Sequence, residues 1–83
     1  GVQTAEVSRD KIEAGLDMIA ALSAETDFLA SNGEARRALK ENSVAVNKEK
    51  VKDDYTITTN DLIHNTYILI NRGKKKTFII KVV

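Results

Sequence analysis

The stretch from Ser31 to Val51, SNGEARRALKENSVAVNKEKV, carries the side chains in this sequence best suited to chemistry. Arg36, Arg37 and Lys40 are spaced to share one side of a helix, and Lys48, Lys50 and Lys52 follow closely. A second group, Arg72, Lys74, Lys75 and Lys76, surrounds Gly73 near the C-terminus. Ammonium groups are compact point charges and guanidinium groups are forked donors; both suit phosphate oxygens. Other chemistry is thinly provided. Cysteine is absent, which excludes disulfides and thiolate metal sites. His64 is the single histidine and sits in a polar turn, where it reads as an exposed bystander. Asp53–Asp54 offers paired carboxylates, but adjacent acids in a turn read as solvated rather than as an acid–base pair. The four glycines match neither G-x-G-x-x-G nor G-x-x-x-x-G-K-[ST]. No nucleophile–base pair and no metal-ligand spacing stand out, and no cofactor is expected for this chain.

The net charge of +1 conceals an asymmetry. Residues 1–34 hold seven acids and two bases, a balance of −5, whereas residues 35–83 hold eleven bases and five acids, a balance of +6. That fits a localised polyanion site. It also fits two solvated faces of opposite sign that keep a domain soluble. Eighty-three residues suffice for one small domain with a modest core. No apolar run approaches the ~20 residues of a membrane span, and no signal-peptide pattern opens the chain. The sequence begins at Gly1 rather than Met and reads as an excised domain.

The elements that must hold these cations can be read in order. Residues 1–7 lack periodicity and are expected to be a linker remnant, with one domain over 8–83. From Ser8, a plausible N-cap, a helix is predicted. Ile12, Leu16, Met18, Ile19, Ala20 and Leu22 form its apolar stripe. Gly15 weakens it by about 1 kcal/mol relative to Ala. Ala24–Ala30 is a connection anchored by Phe28 and Leu29. Ser31–Asn32–Gly33–Glu34 fits the S-x-x-E capping box of a second helix. Ala35, Ala38 and Leu39 then fall on one arc of about 100° and Arg36, Arg37 and Lys40 on the opposite one. Asn42 ends the helix, since Asn tolerates the left-handed position. Ser43–Asn47 alternates as a strand with Val44 and Val46 inward. Asn47–Lys50 is a polar turn that gathers Lys48, Lys50 and Lys52 at the end of the domain bearing the helix cations, and Val51 begins the return. Asp53–Asp54, Thr59–Asp61 and His64–Asn65 punctuate the following segment. A closing hairpin pairs Thr66–Asn71 with Lys76–Val82, and Gly73 supplies the positive φ of its turn. Its cations read either as gatekeepers against edge pairing or as an electrostatic arm for phosphate. Aromatics make up only 5% of the chain, leaving little to stack on unpaired bases, so shape and phosphate recognition of a folded or duplex RNA fits best.

The run E-A-R-R, an aliphatic residue shortly after, V-A-V-N and a closing valine resembles the S-four-like, or alpha-L, RNA-binding module. The R-G-K-K-K turn followed by a strand is similar to the C-terminal domain of bacterial tyrosine–tRNA ligases. The resemblance covers roughly Leu16–Val83. It implies a small α+β fold, two or three short helices on a small, mostly antiparallel sheet. It implies a non-catalytic domain that grips the variable arm and anticodon stem of tyrosine tRNA, while a separate catalytic domain holds ATP and magnesium. It implies a cytoplasmic parent enzyme, homodimeric through another domain, and a monomeric fragment away from membranes. Carried over by motif position, Arg36, Arg37, Lys40, Asn47, Lys48 and Lys50 would line the RNA face, joined by Arg72, Lys74, Lys75 and Lys76 from the tail hairpin. Two departures from the family pattern stand out: Asn42–Ser43 lies where a glycine is common before the first strand, and Lys48 where the hairpin often has glycine. The alternatives are the same module in a ribosome-associated or pseudouridine-forming protein, or a basic module that meets an acidic protein.

Overall fold

The C-terminal third of the chain is rich in β-prone residues, and two strands there that bury alternate side chains build the centre of the sheet. In the computed structural model, which describes residues 2–83, β6 (Tyr67–Arg72) and β7 (Lys76–Val82) pair antiparallel, with Ile68 opposite Ile80 and Ile70 opposite Phe78. Each of these four side chains is buried on one face. β3 (Val44–Val46) joins the other side of β6, and β4 (Glu49–Lys50) pairs with β3. With β1 (Val2–Val7) the sheet order is β1-β7-β6-β3-β4, and a separate two-stranded sheet pairs β2 (Leu16–Asp17) with β5 (Thr56–Ile57). Three of the four pairings in the large sheet are antiparallel, so the class is the expected α+β.

The fourth pairing corrects the reading of the N-terminus. Residues 2–7 are not a linker: β1 (Val2–Val7) lies parallel to β7, in register from Val2 opposite Thr77 to Val7 opposite Val82. Gly1 lies outside the described residues. Only Ala5 and Val7 of this strand turn toward the core, so its alternation is faint in sequence. The strand is held by a partner more than seventy residues away, which no local pattern can announce. Backbone bonds from Val83 N–H to the Val7 carbonyl and from Arg9 N–H to the Val83 carbonyl, both 3.1 Å, fasten the junction.

The first predicted helix is broken in two. α1 (Arg9–Ala14) starts as expected at Ser8, whose hydroxyl accepts from the Asp10 N–H. It stops at Gly15, which adopts φ +97 and returns its N–H to the Ile12 carbonyl. That conformation is open to glycine and strained for other residues. Leu16 and Asp17 then extend into β2, and Asp17 Oδ1 accepts from Ala20 N–H at 2.8 Å to start a π-helical turn over Ala20–Ala24. The apolar stripe survives the break: Ile12, Leu16, Met18 and Leu22 are buried, and Ile19 and Ala20 pack against them in part.

α2 (Asn32–Lys40) buries Ala35, Ala38 and Leu39 and exposes Arg36, Arg37 and Lys40, as the helical wheel predicts. It packs against the π-helical turn, tied by a hydrogen bond between Ser23 Oγ and Asn32 Oδ1. Phe28 and Leu29 anchor the connection in the core, with the Phe28 ring stacked on Phe78 at 4.5 Å. Gly15→Ala should lower the unfolding free energy by roughly 1–3 kcal/mol, because the residue must keep positive φ and its new Cβ would meet Thr56 Cγ2 at 3.1 Å. Urea denaturation of the two proteins measures this.

Candidate nucleic-acid interface

Ser31 and Glu34 set where the basic helix begins. The Ser31 hydroxyl accepts from the Glu34 N–H at 3.2 Å, the expected half of a capping box. The other half differs. Glu34 reaches past the cap, and its Oε2 accepts from the Ala30 N–H at 3.2 Å. Its Oε1 faces Arg72 Nη1 at 3.1 Å. At the far end Asn42 takes φ +57 and closes the helix, as its side chain allows. Ser43 follows, and its hydroxyl donates to the Ala38 carbonyl at 2.9 Å.

The chain then passes into β3, and this junction gathers most of the cations. Lys50 Nζ donates to the Asn42 carbonyl at 2.9 Å, placing a positive charge on the negative end of the helix dipole. The Ser43 carbonyl accepts from the Gly73 N–H at 2.7 Å, so the turn carrying Lys74, Lys75 and Lys76 leaves the sheet beside the C-terminus of α2. Gly73 has the positive φ expected of it, +63. The Val51 N–H donates to the Val44 carbonyl, which keeps Lys52 at this end too. Arg36, Arg37, Lys40, Lys52, Lys74, Lys75 and Lys76 are all exposed here. Glu41 is an exposed acid among them.

The hairpin tip lies apart from this group. Asn47 and Lys48 form a two-residue turn, with φ +50 and +74, and the return strand begins at Glu49 rather than Val51. Asn47 donates its backbone N–H to the Leu69 carbonyl, whereas Val44 faces Arg72. The tip is therefore about 10 Å along β3 from the α2 junction, at ~3.3 Å per residue. The expectation that Lys48 shares an end with the helix cations is corrected: a three-residue strand separates them.

Three of the residues carried over as RNA contacts have partners inside the chain. Asn47 donates its amide to the Asp61 carbonyl at 2.7 Å and accepts from the Leu69 N–H at 3.1 Å, holding the hairpin to β6 and to the 3-10 turn over Thr59–Asp61. Arg72 is held by Glu34 and Lys50 by Asn42. The sequence reading missed Glu34 as a partner for Arg72, because the two are 38 residues apart and no local pattern links them. The remaining polar network centres on Asp61. Its Oδ1 accepts from the Tyr55 hydroxyl and its Oδ2 from the Thr58 N–H. Burial, then the Asp61 hydrogen bond and the charges of Asp61 and Glu49, push the Tyr55 phenol up to about 12. His64 lies exposed in a turn, 6.3 Å from the Tyr67 ring. Among the described residues no group of three His, Cys, Asp or Glu could hold a metal ion, and no helix is long and apolar enough to cross a membrane.

Comparison with known proteins places the chain in a family. The family described as the tyrosine–tRNA ligase SYY-like C-terminal domain matches residues 2–80. A tyrosine–tRNA ligase of Flavobacterium johnsoniae is 51% identical over all of the chain, and that of Flavobacterium psychrophilum is 51% identical over 99% of it. The tyrosine–tRNA ligase of Porphyromonas gingivalis is 37% identical over 96%. In each case the chain spans 19% of the relative's length.

Two outcomes follow from the hairpin and its support. Lys48→Gly should raise the unfolding free energy by about 0.5–1 kcal/mol, since it relieves a β-carbon at positive φ; urea denaturation reads it. The Tyr55 phenol binds its proton more tightly in the folded state. Its contribution should therefore be complete below pH 10, the ordinary value, and be lost as pH rises through about 12. Denaturation midpoints across that window should fall less steeply in Tyr55→Phe than in the wild type.

Proposed function

Because the chain belongs to the tyrosine–tRNA ligase SYY-like C-terminal domain family, we propose that it is the tRNA-binding domain of a tyrosine–tRNA ligase. The observation that carries this reading is the group of exposed cations around the α2–β3 junction, set on a rigid helix and a hairpin turn. Arg36, Arg37 and Lys40 face solvent on α2, and Lys74 and Lys75 on the turn beside it and Lys76 at the start of β7 are exposed too. Such an array meets a phosphate backbone by charge and by shape, without reading bases. Its ligand on this reading is tyrosine tRNA, held at the variable arm and anticodon-stem side. ATP, magnesium and the joining of tyrosine belong to a separate catalytic part of a cytoplasmic enzyme, which dimerises elsewhere. This chain holds and positions, and acts as a monomer. The family match favours this parent over a ribosome-associated or pseudouridine-forming one.

Phosphate contacts release counterions, so affinity must fall with salt. Five such contacts weaken binding roughly 500-fold between about 50 and about 200 mM salt. Fluorescence anisotropy with a tyrosine tRNA transcript across that range measures the slope. Binding that ignores salt, or an acidic protein displacing the RNA interaction altogether, would count against the proposal.

A further inference from the structure

We infer that Glu34 is a positioning residue for polyanion binding: its carboxylate, gripped by Arg72, fixes α2 against the strand that leads into the lysine turn. This rests on the RNA-binding reading above. The geometry is specific to one side chain. One carboxylate oxygen takes Arg72 Nη1 at 3.1 Å and the other takes the Ala30 N–H at 3.2 Å. The first bond reaches the end of β6, immediately before Gly73 and its lysines; the second holds the approach to α2. The two side chains are 24% and 33% exposed, so water screens this pair less than it would a fully exposed one.

The other end of α2 is held in the same manner. Lys50 bonds the Asn42 carbonyl, and Gly73 bonds the Ser43 carbonyl. The helix cations and the turn lysines thus keep one relative placement only while both ends are fastened. Arg72, by pairing with Glu34, works through that placement and not as a phosphate ligand. On charge alone Glu34 repels an incoming polyanion. Its removal therefore separates the two views by sign: simple electrostatics calls for tighter binding, positioning for weaker.

The test is binding of a bacterial tyrosine tRNA transcript to the 83-residue chain across a salt series. Wild type, Glu34→Gln, Arg72→Gln and the double variant are compared, with nitrogen–proton correlation spectra confirming that each is folded. Glu34→Asp accompanies them: it keeps the charge but is too short to hold both partners, and it carries the test if Glu34→Gln unfolds. The expected result is that Glu34→Gln and Glu34→Asp bind roughly fivefold more weakly with an unchanged salt slope. Arg72→Gln should then add no further loss in the Glu34→Gln background. Equal or tighter binding by the Glu34 variants overturns the inference. So does an Arg72→Gln that costs the same in both backgrounds and flattens the salt slope by about 1, the mark of a direct phosphate contact. A wild-type chain that binds no RNA overturns the RNA reading itself.

Discussion

The close packing of α2 on the π-helical turn is the constraint on which the rest depends. Ala35 and Ala38 on one side and Ala21 on the other are fully buried. Small side chains let two helical segments approach, and a larger residue at any of these positions would force them apart. That approach sets the axis of α2, and the bonds at its two ends hold Arg36, Arg37 and Lys40 in place relative to the lysine turn. It also brings Asn32 to Ser23 and Glu34 to Arg72, so that polar bonds fasten what apolar contact has placed.

Charge is used in two ways around this helix. Some cations remain free in solvent, where they cost little and can meet a polyanion. Others, Arg72 and Lys50, are drawn into intramolecular bonds at opposite ends of α2. A cation at the helix C-terminus is favoured by the dipole, and an acid at the N-terminus likewise. Glu34 and Lys50 satisfy both rules at once, so the clasp that holds the helix is also the arrangement its backbone favours.

Reversals of the chain are the third ingredient. Asn42, Asn47, Lys48 and Gly73 all adopt positive φ, and each sits where a basic element begins or turns. Asn and Gly accept that conformation readily, whereas Lys48 does so because the tight hairpin and the Asn47 amide bonds require it. The cost is local, and the ladder between β3 and β6 bears it.

What the sequence determined by itself was local. The capping hydroxyl of Ser31, the two faces of α2, the left-handed close at Asn42, the β-prone runs of β6 and β7 and the turn at Gly73 all follow from side-chain type at short spacing. So did the family, through the run from Glu34 to Val51 and the R-G-K-K-K turn. The tertiary structure decided everything that joins distant residues. It made residues 2–7 a strand, because β7 offers them an open edge. It broke the first helix at Gly15, because Leu16 and Asp17 gain a partner in β5. It divided the predicted contact residues into free cations and clasps. Propensity acts over a few neighbours, whereas a sheet edge or an ion pair across 38 residues exists only once the chain has closed on itself.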